Sequence, residues 1–103
     1  MSFKELLFLE EVAADLQASK QFYEASQPGV GDYFFDSLIA DIESLHLYAG
    51  IHEKQFGLFR MLAKRFPYAI YYDITDSAII VVAVLDLRRN PTWISSRLNR
   101  PTL

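Results

Sequence analysis

The sequence predicts an α+β fold: an N-terminal strand, a two-helix antiparallel hairpin, a three-stranded antiparallel meander joined by the first strand, and a short C-terminal helix. Three observations carry this. Residues 60–65, 66–72 and 78–85 are short runs rich in β-branched and aromatic side chains, punctuated by Lys64-Arg65 and by the polar stretch from Asp73 to Ser77. Residues 10–50 instead repeat apolar positions at helical spacing. Asn90-Pro91 then has the form of an N-cap followed by proline at the first helical position. A meander has a face to bury, and the upstream helices are its cover. That leaves a four-stranded layer whose other face is less covered and available for function.

In order along the chain, residues 3–9 place Leu6, Leu7 and Phe8 beside Lys4 and Glu5, a short strand that would join the edge or middle of the later meander. Residues 10–25 carry Val12, Ala13, Leu16, Phe22 and Tyr23 at near-helical spacing, which predicts an amphipathic helix stopped by Ser26-Gln27-Pro28-Gly29. A second helix starts near Gly31-Asp32. Its apolar stripe is Phe35, Leu38, Ile39, Ile42, Leu45 and His46, with Asp36, Asp41 and Glu43 largely off the stripe, and it ends at residues 48–50 with Gly50 just beyond the helix. So short a connection makes the pair a hairpin. Residues 51–57, with Glu53 and Lys54, are expected to form an exposed loop. In the middle strand Tyr68, Ile70 and Tyr72 face one way and Ala69, Tyr71 and Asp73 the other. The last strand is an almost unbroken apolar run, as suits an interior strand. Residues 92–98 form the terminal helix with Trp93, Ile94 and Leu98.

A chain of 103 residues makes one domain, here spanning 1–103. At that size roughly two thirds of the unfolded chain's surface is buried, enough for one core. Apolar residues at 51% and charged ones at 22% are globular values rather than those of a disordered chain. The absence of cysteine excludes a disulfide framework, thiolate chemistry and zinc fingers. No apolar run reaches the ~18 residues of a membrane span, and the N-terminus lacks the basic, apolar and small-residue order of a signal peptide. A cytoplasmic protein without membrane contact is the expectation.

The net charge of −3 conceals a division: residues 1–53 carry two basic groups against ten acids, residues 54–103 eight against three. Basic groups fall on and after the strands and acids on the helices, which suggests an anionic partner on the sheet side. The competing account is that the arginines pair with carboxylates of the same molecule. His46 and His52 have no third ligand at useful spacing, so no metal is expected, and no cofactor motif is present. Gly29-Val30-Gly31 follows no strand and is a helix–helix turn rather than a phosphate loop. No serine-hydrolase elbow occurs, and the helical carboxylates form a solvated face. The remaining candidates are Arg60, Arg65, Arg88, Arg89, Tyr71, Tyr72 and Trp93. Interleaved arginines and aromatics can grip a nucleic-acid backbone and stack bases, and arginine can stabilise a phosphorane. For the aromatics, core or interface packing is the favoured reading, and Arg60 and Arg65 read alternatively as cross-strand solubility residues; for Arg88-Arg89 the functional and structural readings are balanced.

Phe22-Tyr23-Glu24, Gln27-Pro28-Gly29-Val30-Gly31, Phe35, Arg60, Arg65-Phe66-Pro67-Tyr68-Ala69-Ile70-Tyr71-Tyr72, Val82-Ala83-Val84-Leu85, Arg88-Arg89-Asn90-Pro91 and Trp93, in that order, give the chain its likeness to a family. It resembles the ParE branch of the RelE/ParE toxin superfamily over nearly its whole length. The resemblance implies a small bacterial toxin of a type II toxin–antitoxin (plasmid stabilisation) module, neutralised by a cognate antitoxin, with assembly into oligomers of toxin–antitoxin heterodimers open. It implies DNA gyrase as target for ParE-type members, and ribosome-dependent cleavage of messenger RNA for RelE-type ones. Arg60 and Arg88 match arginines of the family pattern and are the catalytic candidates if the chain is a nuclease. With Arg65, Tyr71, Arg89 and Trp93 they are the expected target- or antitoxin-binding residues. RelE-type nucleases carry an arginine on the middle strand, where this chain has Ala69. Relatives also have a histidine two residues before the first Arg of the pair, where this chain has Asp86. Most are basic overall, and this chain is acidic. These departures favour a non-enzymatic, binding-type toxin over an mRNA interferase, with a non-toxic interaction domain of the same fold as a third reading.

Overall fold

A computed structural model describes residues 4–99. Phe3 of the expected first strand and Arg100 of the basic half lie outside the described residues. The elements run β1 (Glu5–Phe8), α1 (Glu10–Ser26), α2 (Val30–Glu43), α3 (Leu45–Tyr48), β2 (Lys54–Gln55), β3 (Leu58–Leu62), β4 (Tyr68–Ile74), β5 (Ala78–Asp86) and α4 (Pro91–Leu98). The sheet order is β1-β5-β4-β3-β2, with β1 parallel to β5 and the other pairs antiparallel. The α+β architecture and the interior place of the last strand agree with expectation. Among the described residues no helix is long and apolar enough to cross a membrane.

Five strands, not four, form the layer. The added strand is β2, in the segment expected to be a loop. It closes on β3 through a two-residue turn in which Phe56 (φ 55°) and Gly57 (φ 77°) both adopt positive φ. That is the geometry of a primed hairpin turn, usually signalled by Asn-Gly or Asp-Gly. Phenylalanine in the first position hides it. The first and middle meander strands begin and end elsewhere than expected, and residues 63–67, including Lys64 and Arg65, form the turn between them.

The helix hairpin covers one face of the sheet. Val12 and Leu16 from α1, and Phe34, Leu38, Ile42 and Leu45 from α2 and α3, pack on Met61, Tyr68, Ile70, Tyr72, Ile79, Val81 and Val84. On the opposite face Ala69, Tyr71, Ala83 and Leu85 lie beneath Ile94 and Leu98 of α4. The second face is therefore partly covered, not open. The alternation predicted for β4 holds. On β5 it does not, because the register shifts by one residue at Val82, between Tyr71↔Ala83 and Tyr72↔Val81, so Val81 and Val84 share a face. A run that is apolar throughout carries no mark of such a phase shift.

The helix stripes are rotated from the expected ones. Phe34 is fully buried, whereas Phe22 and His46 are exposed. Asp41 is buried, contrary to its expected place off the stripe, because its Oδ2 accepts the Lys64 backbone N–H (3.0 Å) and closes the end of β3. The second helix breaks at Ser44 before α3, after which Gly50 (φ 97°) takes the left-handed conformation expected of it. In α4 the Asn90 side chain accepts the Thr92 N–H (2.7 Å), with Pro91 opening the helix as predicted.

Candidate partner-binding site

The Asp86-Leu87-Arg88-Arg89 exit from β5 turns into the capped helix α4, and this short turn decides where the two arginines go. Leu87 N–H also donates to Pro67 O (2.8 Å), which fixes the exit beside the β3–β4 turn that carries Arg65. Arg88 folds back on Asp86: Nε donates to Oδ1 (2.9 Å) and Nη2 to Oδ2 (2.8 Å), a two-point pairing. Nη2 also donates to Tyr23 Oη (2.9 Å), tying the turn to α1. The hydrogen bonds from the guanidinium, with the Arg88 backbone N–H and the charges of Arg88 and Arg89, hold the Asp86 carboxyl below its ordinary value. Asp86 in turn strengthens the hold of Arg88 on its proton. The acid that replaces a histidine in this sequence is thus the arginine's partner, and Arg88 is not a free cation.

A depressed carboxylate pKa has a defined pH signature. The stabilisation is full above the unfolded value of about 4 and is lost as pH falls through the lower folded value. The stability gap between the wild type and Asp86→Asn, measured by urea unfolding, is expected to be present at neutral pH and to shrink in acid. A gap unchanged from neutral to strongly acidic pH would show that the ionised pair contributes nothing.

Arg89 takes a different course. Its guanidinium lies over Trp93 at 3.9 Å from the ring centroid, and among the described residues it has no ion-pair partner. Arg97, one turn further along α4, also lies against Trp93 (5.3 Å) but is paired to Asp15 of α1 (2.6 Å). Trp93 is half-buried. Of the sequence candidates, Arg89 and Trp93 are thus in contact, while the neighbouring Arg88 turns to Asp86 and Tyr23 instead. Arg65 is exposed at the same end of the sheet. Arg60 stands apart, on β3 opposite Tyr71, half-buried, with a buried Nε that has no hydrogen-bond partner. Tyr71 is corrected: at 1% exposure beneath α4 it is core, not a contact surface. Tyr72 is also core, its ring stacked on Phe59 and its Oη accepting the Gly50 N–H and bonded to His52 Nδ1.

Of three concave regions, two border these residues: one includes Arg89 and Trp93, and another includes Arg60. Between α1 and α4 lies a cleft of about 460 Å³ that includes Ser19, Phe22, Tyr68, Arg89 and Trp93. In its wall Tyr68 Oη donates to Ser19 Oγ (3.0 Å), and burial pushes the Tyr68 phenol up to about 12, so it is neutral. An apolar groove of about 330 Å³ runs between α1, α2 and β1, lined by Phe8, Val12, Leu16, Phe35 and Ile39 among others. The third, of about 630 Å³, lies where β3 passes beyond β2, beside Tyr48, Ile51, His52 and Leu62. Burial lowers the His52 pKa, which favours the neutral ring. Sequence reasoning missed Tyr23, Asp15 and Arg97 as parts of this region. Asp15 and Arg97 are 82 residues apart, and no local pattern announces such a pair.

No curated protein matches the chain. Its fold is similar to that of a solved structure described as the chromosomal ParDE TA system from P. aeruginosa, at 17% identity and a TM-score of 0.76, covering 82% of this chain and 97% of that one. The family model for the ParE toxin of type II toxin–antitoxin systems, parDE, matches residues 6–91. The match extends from β1 through the Arg88-Arg89 turn to the first residue of α4, and the chain belongs to the ParE toxin family.

Proposed function

We propose that this chain is a toxin that acts by binding rather than by cleavage, that DNA gyrase is its target, and that a cognate antitoxin neutralises it. The observation that carries this is the state of Arg88. A guanidinium already paired at two points to Asp86 and hydrogen-bonded to Tyr23 is poorly placed to stabilise extra charge on a phosphorane. Tyr71, the other candidate for an RNA site, is buried. Arg60, with its unpartnered Nε, is the one feature that favours the RelE-like reading. On the binding reading it contributes an ordinary charged contact.

For the antitoxin, the apolar groove between α1, α2 and β1 suits the apolar face of an amphipathic helix, and β1 is an edge strand open to strand addition. A disordered antitoxin segment would order on binding at an entropic cost. Supercoiling by purified gyrase is expected to be inhibited by this protein and restored by the product of the neighbouring gene. No inhibition at a large molar excess would exclude the gyrase target. Ribosome-programmed mRNA cut by the wild type but not by Arg60→Ala would favour the nuclease. Induction without any growth defect would leave the non-toxic interaction domain.

A further inference from the structure

Five charged side chains meet around the cleft between α1 and α4, and four of them cancel. Asp15 is paired with Arg97 (2.6 Å) and Asp86 with Arg88 (2.8 Å). Arg89 is left with a positive charge and, among the described residues, no ion-pair partner. It is also pre-ordered, since stacking on Trp93 at 3.9 Å fixes the plane of its donors before any ligand arrives. Phe22, which also lines the cleft, is 62% exposed and touches Tyr23 edge-on at 5.3 Å. A helix that buries Val12 and Leu16 had no packing need for an aromatic there.

We infer that this cleft seats a carboxylate-bearing apolar segment of the antitoxin, with the carboxylate on Arg89 and the apolar side chain on Phe22. The inference rests on the antitoxin reading above and gives the partner a second foothold, apart from the apolar groove between α1, α2 and β1. Charge decides against nucleic acid as the occupant. A chain with a phosphate at every residue would find one unpaired cation here, because Arg88 and Arg97 are already paired to Asp86 and Asp15, and it would meet the acidic N-terminal half beyond. A single carboxylate flanked by apolar side chains meets one cation and one exposed ring. The Ser19–Tyr68 hydroxyl pair offers that segment a neutral polar contact.

Trp93 is the only tryptophan of the chain. Incorporating 5-fluorotryptophan therefore gives a single fluorine resonance next to Arg89. Full-length protein would be titrated with the full-length product of the neighbouring gene, unlabelled, while calorimetry measures affinity for the wild type, Arg89→Gln, Phe22→Ala and the control Lys64→Gln, an exposed cation outside the cleft. The resonance is expected to shift on complex formation. Arg89→Gln and Phe22→Ala should each weaken binding about tenfold, as loss of a charged hydrogen bond or an apolar anchor does, and Lys64→Gln by less than about twofold. Affinities of both variants within twofold of wild type, or weakened binding with an unmoved resonance, overturn the inference while leaving the antitoxin reading intact. No binding of the neighbouring product by the wild type removes that reading, and this inference with it. A resonance that moves with a single-stranded oligonucleotide but not with the antitoxin would overturn the inference in favour of a nucleic-acid site.

Discussion

Phe34→Ala is expected to destabilise the protein by about 3–5 kcal/mol, the range for deleting a buried aromatic side chain. Phe34 is fully buried on α2 and sits at the centre of an aromatic cluster. Its ring lies 4.9 Å from each of Tyr23, Phe66 and Tyr68, stacked on the first and edge-on to the other two. Those three partners come from α1, from the β3–β4 turn and from β4, so one side chain fastens the hairpin to the sheet. Alanine leaves a void bounded by three rings that are themselves held, and little collapse is available to fill it. Against a typical total of about 5–15 kcal/mol, that loss is a large share. The thermal midpoint should fall by well over 10 °C, at roughly 4–8 °C per kcal/mol for a chain of this size. Leu47→Ala, at an 81% exposed position, is the matched control and should change stability by no more than about 0.5 kcal/mol. The effect reaches the candidate site, because Tyr23 is held by Phe34 and accepts the hydrogen bond from Arg88. A loss near that of Leu47→Ala would mean the aromatic cluster is not what docks the helices.

The position of Phe34 illustrates how far residue patterns carry. Helical spacing around residues 30–45 announces a helix, but adjacent Phe34 and Phe35 both fit an apolar stripe, and only packing decides which of them goes under. The same limit applies to Asp41, whose charge suggests a solvated face until the Lys64 backbone N–H supplies it with a partner. The meander and the capped terminal helix were legible because β-branched runs and Asn-Pro are local signals. The β2–β3 hairpin was not, since Phe56 adopts a conformation that phenylalanine rarely takes. At the candidate site, the Arg88-Arg89-Asn90-Pro91 motif located the turn into the capped helix α4. It could not tell a paired arginine from a free one, because that difference depends on Asp86 and Tyr23 together, and Tyr23 is 65 residues away. Of two neighbouring arginines, the structure neutralises one and stacks the other. That asymmetry is invisible in composition, and it separates a charge that holds the fold from one available to a partner.

Gly31→Ala is expected to be the most damaging single-methyl change in the chain, with a net loss of about 1–3 kcal/mol from overpacking. A Cβ at this position would lie 2.6 Å from the Lys20 carbonyl oxygen and 2.8 Å from Glu24 Cβ. The first of these is backbone within α1 and cannot swing aside, so the two helices must separate. Replacing glycine within a helix otherwise favours the folded state by up to about 1 kcal/mol, which makes a net loss the sign of the steric term. The separation also disturbs a cap. The Glu24 carboxylate accepts the N–H groups of Gly29 (3.1 and 3.0 Å) and Gly31 (3.0 Å) and so satisfies the first turn of α2. Glu24→Gln removes the charge without adding bulk and should cost less than Gly31→Ala if close approach dominates. Urea unfolding of both variants decides between them: equal losses would assign the glycine's importance to the cap, and an unchanged Gly31→Ala would mean that α1 and α2 have room to move. Because α1 borders both the apolar groove proposed for the antitoxin helix and the cleft beside Arg89, a displaced α1 should also weaken antitoxin binding. Glu24→Gln, which leaves the helices at their native spacing, should bind as the wild type does.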